Sequence, residues 1–443
     1  MRKGGRQPCS SRQPSRGRER FSVFPKRSPA AASVTSETSR RSGLGLAARI
    51  VTTRRLGVFV AGVFLAESAF YAVVPPLVPE LVRQTHMTTT QVGVLVAAYP
   101  GGVMVAAIPA IAMVNRLGVR VTTTIGLGLL ILATLAFAWS TEPLVLDVAR
   151  LIQGIGGAVA WAAALAWLIS QAPRARRATV IGGAVGAALI GMVVGPVIGS
   201  AATWIGRGIV FSGIAVVLAA MAALTLVPQQ STGEHGSSFR ALLGLLRIRR
   251  AALGNALIAV IGVINGTLAS LVPLLVSRRL GPPAAIAAIF VASYLLASFW
   301  NVVLGRIADR VGRLVPVTVG FTLAAAILPF LPGIGSLVFL ATATVIAGSA
   351  ASGLWTPTAA IVSDAAEAEP SSQAVAVAVT NAAWAAGGAI GAVALSALAD
   401  TAGFAVPFLL VGILCAFAAL ICLATLRADQ ARTEVGTTPR RQT

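Results

Sequence analysis

The chain has 443 residues, of which 56% are hydrophobic and only 11% are charged. So little charge in so long a chain excludes a soluble globular protein and indicates a membrane protein. The formal net charge of +21 does not indicate nucleic-acid binding, because the basic residues lie in a polar N-terminal segment and in short loops rather than in a folded basic domain.

Twelve apolar runs follow that N-terminal segment, and each is long enough to cross a bilayer as a helix. They cover residues 56–80, 91–114, 119–139, 143–169, 178–203, 208–227, 251–277, 283–306, 314–331, 335–362, 371–398 and 403–426. Runs this long exclude a transmembrane β-barrel, whose strands are short and alternate in polarity. The sequence therefore predicts an all-α protein with 12 transmembrane helices in the lipid bilayer.

The runs fall into two groups of six. Residues 1–54 are rich in Ser, Arg and Pro, and we expect a disordered basic cytoplasmic tail or an extension read from an upstream start codon. An N-terminal half (55–227) is joined by a cytoplasmic linker (228–250) to a C-terminal half (251–426), and residues 427–443 form a second cytoplasmic tail. Most loop arginines lie on the side of the tails, which predicts a multi-pass protein of the plasma membrane with both termini in the cytoplasm.

Glu67 is the only acidic residue in the middle of a predicted span, about 16 Å along its helix at 1.5 Å per residue. Burial favours the neutral form of a carboxyl group, whereas a nearby arginine favours the charged form. A glutamate under both influences gains and loses a proton as the geometry changes, as a proton-coupled carrier requires. The alternative is a protonated glutamate that only forms a packing hydrogen bond. Tyr71, four residues later on the same face, is a candidate substrate-binding residue.

A charged turn occurs twice in the chain. Residues 304–313 (LGRIADRVGR) place four charges and two glycines between two apolar runs. Residues 115–118 (NRLG) repeat part of this pattern 194 positions earlier, with Asn115 in the place of Asp309. The same spacing relates Trp161 to Trp355, and a spacing of 198 relates Glu67 to Asn265. Such duplication predicts two similar halves, and Trp161, Asn265 and Trp355 are further candidate substrate-binding residues.

Arg150 begins the sequence RLIQGIGGA in the fourth predicted helix. An arginine inside a span is costly unless it faces protein or water. Asp147 lies three residues earlier on the same face, so the two side chains are expected to lie close together. The functional interpretation is a charge whose partners change as protons come and go. The alternative is a static ion pair near the outer end of the helix.

The fifth predicted helix contains the sequence GMVVGPVIG, from Gly191 to Gly199. Its three glycines, four residues apart, form a smooth face for close packing. Pro196 removes one backbone hydrogen bond and bends the helix. We predict that Gly195, Pro196 and Gly199 form a hinge and a packing face against the opposite half, although ordinary packing explains such a pattern equally well.

Three of these patterns resemble motifs of the major facilitator superfamily. The charged turn resembles G-x-x-x-D-R-x-G-R, the fourth helix resembles R-x-x-Q-G-x-G-A, and the fifth resembles the antiporter motif G-x-x-x-G-P-x-x-G. The segment from Glu67 to Pro79 is similar to the first helix of drug:proton antiporters. The resemblance implies two pseudo-symmetric six-helix halves and proton coupling through Glu67, Asp147 and Arg150. It also implies a cytoplasmic gate formed by Gly305, Asp309, Arg310, Gly312, Arg313, Arg116 and Gly118.

The function that this resemblance implies is proton-coupled efflux of hydrophobic small molecules, drugs or metabolites, by alternating access. The alternative is an uptake carrier for a small neutral nutrient such as a sugar or organic acid. The spans of the second half contain no Lys or Arg in their interior, since Arg306 lies at the very end of its span, and this favours a neutral or cationic solute. A scaffold or receptor without flux is disfavoured by Glu67 and Arg150, since inert helices lack such costly groups.

An enzyme is disfavoured because the sequence offers no nucleophile–base pair and no metal-ligand spacing. We therefore expect no catalytic residue, no metal and no cofactor. The expected partners are a small-molecule substrate, protons and the lipid bilayer, with no nucleic acid, and the protein is expected to act as a monomer.

Overall fold

The computed structural model describes residues 56–171, 177–225, 248–366 and 370–437. The predicted tail of residues 1–54 lies outside these ranges, as do residues 228–247 of the predicted linker and the last six residues of the chain. Every regular element in the described part of the chain is helical, which confirms the all-α prediction. The exact limits of the two predicted halves stay predictions.

The N-terminal half contains six α-helices within the described residues. They are α1 (56–72), α2 (Val78–Thr85), α3 (Thr89–Trp139), α4 (Pro143–Gln171), α5 (Arg177–Ile205) and α6 (Arg207–Thr225). A short 3-10 helix, Pro75–Leu77, joins α1 to α2. Its prolines explain the interruption, since a proline lacks the N–H group that would continue the α-helical ladder.

The C-terminal half contains seven helical elements within the described residues. They are α7 (Arg249–Arg278), α8 (Pro283–Val311), α9 (Leu314–Ile327), α10 (Leu337–Ser352), α11 (Trp355–Ala365), α12 (Pro370–Ala402) and α13 (Ala405–Thr437). A 3-10 helix, Leu328–Gly333, extends α9. The last helix runs to Thr437, beyond the predicted end of the twelfth span at residue 426.

Eleven helical stretches in the described residues are long and apolar enough to cross a membrane. One of them, α3, has 51 residues. At 1.5 Å per residue it would be roughly 76 Å long, more than twice the thickness of a bilayer core. It is interrupted at Gly118, which divides α3 into two arms, each with the length of one crossing. The predicted number of twelve crossings stays a prediction.

Gly118 and Gly312 have the same unusual backbone conformation. Their φ and ψ angles are 80° and 161° at Gly118, and 93° and 151° at Gly312. Only glycine adopts this region without strain, because any Cβ would collide with the backbone. The two residues are 194 positions apart, so the duplicated charged turn is a duplicated structure as well as a duplicated sequence.

The two halves meet through α3 and α12, and also through α5 and α8. Helix α12 packs along α7 in its own half and also along α3 of the other half. Glycine permits the close approach to α3, because a Cβ on Gly93 would lie only 2.4 Å from the main-chain oxygen of Ala392. This contact places the interior faces of both halves next to the residues described below.

Candidate functional site: a buried charge cluster and an aromatic bridge

Glu67 lies near the end of α1 and is half-buried. The hydroxyl of Tyr99, on α3, is 3.1 Å from the Glu67 Oε1 atom and 2.9 Å from the Glu67 main-chain oxygen. The Ser68 hydroxyl is 3.4 Å from the other carboxyl oxygen, Oε2. Gly157 of α4 leaves room for this arrangement, because a Cβ there would lie 2.9 Å from the Tyr99 hydroxyl. Three helices therefore meet at one titratable group.

Arg150, on α4, is only 1% exposed. Its Nη1 atom donates hydrogen bonds to the Phe70 main-chain oxygen (2.8 Å) and to the Gln153 Oε1 atom (2.9 Å). Its guanidinium carbon is 4.6 Å from the centre of the Tyr99 ring. Such a contact is worth about 2 kcal/mol when it is shielded from water. These contacts retain a positive charge in the interior beside Tyr99, and we call Glu67, Tyr99 and Arg150 the charge cluster.

Asp147 and Arg150 do not form the static ion pair that was the alternative interpretation. No carboxylate among the described residues lies within 4.0 Å of the Arg150 guanidinium. The Asp147 Oδ1 atom is buried and has no hydrogen-bond partner in this part of the chain. Arg150 turns instead towards α1 and α3, where its Nη1 atom donates to the Phe70 oxygen and its guanidinium lies over the Tyr99 ring, while its buried Nε atom has no hydrogen-bond partner among the described residues. The role of Asp147 in proton coupling stays a prediction.

Three aromatic rings cross the contact between the two halves. The Tyr71 ring, on α1, is 4.8 Å from the Trp384 ring on α12. The Trp384 ring is in turn 6.3 Å from the Trp355 ring at the start of α11, and the two rings are perpendicular. These separations are typical of favourable aromatic pairs. We call Tyr71, Trp384 and Trp355 the aromatic bridge.

Tyr71 joins the aromatic bridge to the charge cluster. Its ring is 6.2 Å from the ring of Tyr99, which contacts both Glu67 and Arg150. The backbone at Trp384 packs closely on α7, because a Cβ on Gly262 would lie 2.2 Å from the Trp384 main-chain oxygen. The sequence predicted Tyr71 and Trp355 as site residues but did not rank Trp384 with them, since its position in the fold is not visible in the sequence.

Trp161 and Asn265 are not part of the aromatic bridge. The Trp161 ring stacks on Phe64 of α1, with 3.5 Å between ring centres, inside the N-terminal half. The Asn265 Oδ1 atom, on α7, accepts a hydrogen bond of 2.9 Å from the Ser352 hydroxyl at the end of α10. Both residues are only partly buried, so their predicted substrate contacts stay predictions.

The charged turn after α8 forms an ion cluster within its own half. Arg313 contacts the Asp309 carboxylate, and its Nε atom is 3.3 Å from the Asp364 Oδ2 atom on α11. Burial alone would lower the pKa of Arg313, but its hydrogen bonds to both aspartates raise that pKa above its usual value. Asp364 was not singled out from the sequence, because it lies 51 residues from Arg313. Arg310, Arg116 and most of the turn remain exposed.

The predicted partner of the α5 glycine face is wrong. A Cβ on Gly191, Gly195 or Gly199 would lie 2.1–2.6 Å from a main-chain oxygen of α1 or of Val73, the residue directly after α1. The three glycines therefore pack on α1 of their own half rather than on the opposite half. In the C-terminal half, Gly387 and Gly391 of α12 approach α7 in the same way, at 2.0 and 2.3 Å.

One carboxylate ties the two halves together at the end of the bundle where α3 begins. Asp400, on α12, accepts hydrogen bonds from the Thr89 amide (3.2 Å) and the Thr90 amide (2.7 Å). The Thr90 hydroxyl also donates to it, at 2.5 Å. A negative charge at a helix N-terminus is favourable, because the first amides have no partner within the helix. Sequence analysis missed this contact, whose residues are 310 positions apart.

This arrangement brings a titratable carboxyl group, a buried cation and a set of aromatic faces to the contact between two helical halves. The aromatic faces are suited to binding an apolar molecule, and the carboxyl group is of a kind that can exchange a proton. In the described part of the chain, His, Cys, Asp and Glu do not form a group of three or more that would hold a metal ion.

Known proteins resemble the chain in both sequence and structure. The family model of the Major Facilitator Superfamily matches residues 59–380 and 257–442. An uncharacterized MFS-type transporter, YcaD of Escherichia coli O6:K15:H31 (strain 536), is 27% identical over 288 residues, which cover 60% of this chain and 70% of YcaD.

Solved structures show the same fold. A bacterial homologue of the human lysosomal transporter Spinster, in an inward-facing and unoccupied conformation, has a TM-score of 0.68 at 14% identity, over 84% of this chain and 95% of that one. The nucleoside transporter NupG has a TM-score of 0.67 at 13% identity, over 84% of this chain and 99% of that one. The chain therefore belongs to the Major Facilitator Superfamily and is a multi-pass membrane transporter.

Proposed function

We propose that this transporter exports hydrophobic small molecules, neutral or cationic, in exchange for protons. The observation that carries the proposal is Glu67, a partly buried carboxyl group inside a span. It contacts Tyr99, whose ring in turn contacts the buried Arg150. An ionisable residue in such a place is costly and is normally retained for function. Its partial exposure gives protons a route to it.

The aromatic bridge is the proposed place of substrate contact. Tyr71, Trp384 and Trp355 offer flat apolar faces next to the charge cluster. Sites for drug-sized molecules are mostly apolar, with a few polar groups that orient the ligand. Because the bridge joins residues from both halves, a molecule bound there would contact both halves and respond to their movement.

The contact between Asp400 and the start of α3 is the proposed outer closure. If the tails are cytoplasmic, this end of the bundle faces outwards, and the turns at Gly118 and Gly312 face inwards. Release of the Thr89 and Thr90 amides from Asp400 would then accompany outward opening. Protonation of Glu67 would favour one state of the N-terminal half, which is how a proton gradient biases alternating access.

The experiment begins with a susceptibility screen of a deletion strain against many toxic compounds. A compound that the strain no longer tolerates is then followed in proteoliposomes under an imposed pH gradient. Glu67→Gln should abolish gradient-driven flux, whereas Glu142→Gln, at an exposed acid between α3 and α4, should retain it. Full gradient-driven flux in Glu67→Gln would exclude the proposal. Accumulation of a neutral nutrient by the wild type would favour uptake instead.

A further inference from the structure

Tyr99 contacts two ionisable groups inside the N-terminal half, the half-buried Glu67 and the buried Arg150. Its side chain is fully buried on α3. Its hydroxyl points to Glu67, and its ring lies against the Arg150 guanidinium. A single side chain therefore contacts the carboxyl group through its polar end and the cation through its aromatic face.

The Tyr99 hydroxyl has two oxygens within reach. They are the Glu67 Oε1 atom at 3.1 Å and the Glu67 main-chain oxygen at 2.9 Å. A tyrosine hydroxyl donates one hydrogen bond and also accepts. When Glu67 is ionised, the hydroxyl can donate to the carboxylate. When Glu67 is protonated, its O–H group can donate to Tyr99 while Tyr99 donates to the main-chain oxygen. Both protonation states are then hydrogen-bonded without movement of α1.

Gly157 leaves the space that this pair needs. A Cβ at this position would lie 2.9 Å from the Tyr99 hydroxyl oxygen and 3.0 Å from the Glu67 Cγ atom. Both distances are shorter than ordinary carbon contacts, so the hydroxyl and the carboxyl group would be forced apart. Gly157 stands where the motif that the fourth helix resembles has an alanine. The absence of a side chain here therefore fits the Tyr99–Glu67 contact.

The other groups around Glu67 do not duplicate this role. Ser68 is a weak contact at 3.4 Å from Oε2. Tyr71, on the same helix, directs its ring to Trp384 in the aromatic bridge. Helix α5 presents glycines to this part of α1. Among the described residues, the charged group on a neighbouring helix is Arg150, which Tyr99 contacts directly.

We propose that Tyr99 is a positioning residue that holds the Glu67 carboxyl group in both of its protonation states, with Gly157 providing the space. The proton moves between Glu67 and water, and the tyrosine hydroxyl only changes its acceptor. This proposal rests on the proposed proton coupling through Glu67.

The test needs no substrate. Full-length protein in lipid nanodiscs is titrated with acid and followed by difference infrared spectroscopy, which detects the C=O stretch of a protonated carboxyl group. Glu67→Gln should remove one band and thereby assign it. Tyr99→Phe keeps the ring and the Arg150 contact but removes the hydroxyl. In this variant the assigned band should move to the higher frequency of a carboxyl group without that hydrogen bond, and its pH profile should change.

Gly157→Ala reaches the same hydrogen bond from α4 and should produce the same two changes, so the proposal remains testable even where Tyr99→Phe does not fold. The matched control is Gly101→Ala on α3, where a Cβ would lie an ordinary 3.9 Å from the Leu151 Cδ1 atom. This control should keep the wild-type band.

Wild-type bands in both Tyr99→Phe and Gly157→Ala would overturn the proposal, as would a Glu67 band that never appears. Wild-type bands in both variants would leave the proposed proton-driven flux untouched, whereas the absence of a Glu67 band would contradict proton coupling through Glu67 as well. Conversely, full gradient-driven flux in Glu67→Gln would refute the proposed function while leaving the spectroscopic result intact.

Discussion

Replacing Gly199 with alanine tests whether the α5 glycine face supports the fold or closes against the opposite half. A Cβ at this position would lie 2.1 Å from the main-chain oxygen of Val73, directly after α1. Ordinary C···O contacts are about 3.3–3.6 Å, so the two helices must separate locally by roughly 1.3 Å. Overpacking of this kind costs about 1–3 kcal/mol.

The matched control is Gly186→Ala on the same helix, where a Cβ would meet nothing within 4 Å. Both variants gain about 1 kcal/mol of helix propensity, so their difference in stability isolates the contact with α1. We expect Gly199→Ala to be less stable than Gly186→Ala by about 1–3 kcal/mol. The measurement is SDS-induced unfolding in mixed micelles, followed by tryptophan fluorescence, beside substrate flux in proteoliposomes.

Two results would contradict this reasoning in different ways. Equal stability of the two variants would mean that α1 and α5 are not in tight contact. Normal stability of Gly199→Ala with a complete loss of flux would mean that the face closes on the opposite half in another state, as the sequence alone suggested.

Three further substitutions test the remaining contacts. Asp400→Asn removes a charge from the start of α3, a loss of about 1–2 kcal/mol that should speed hydrogen exchange of the first α3 amides roughly 5- to 30-fold, as measured by mass spectrometry. Unchanged exchange would show that the carboxylate does not hold that end. Asp309→Asn should cripple transport while Asn115→Asp is tolerated, because only the second charged turn has the full set of charges; equal loss of flux from both would refute this. Trp384→Ala should lower flux of an aromatic substrate with little loss of stability, whereas Trp161→Ala should lower stability through its stacking partner, and the reverse pattern would move the site to Trp161.

The helices were predictable because lipid imposes a simple rule on length and polarity. A run of about 20 apolar residues must form a helix to satisfy its backbone in the bilayer. Gly118 and Gly312 were also visible, because a required glycine conformation leaves the same residue at the same place in both copies of the turn. The helices and the two glycine turns depend on residues that are close in the sequence, so the sequence alone predicts them.

Tertiary partners were less predictable. Glycine spacing indicates close approach by some helix but does not identify that helix. The sequence therefore paired the glycine face of α5 with the opposite half, whereas this face packs on α1. The spacing of Asp147 and Arg150 placed both on one face, but the long arginine side chain found a main-chain oxygen and an aromatic ring instead. Asp400 and Tyr99 were missed because nothing in their neighbouring residues indicates a distant contact.

The two halves share a scaffold but differ in chemistry. In the first, the glycines of α5 hold α1, which carries Glu67; in the second, the glycines of α12 contact α7, which carries Asn265. Asn265 forms a neutral hydrogen bond with Ser352, and an amide does not change its charge with pH. If protons act through Glu67, they act on the first half alone. The second half then contributes the Trp384 and Trp355 faces of the aromatic bridge. A change of protonation at Glu67 would reach a molecule bound there through Tyr71, because Tyr71 lies against Tyr99 of the charge cluster and against Trp384 of the aromatic bridge.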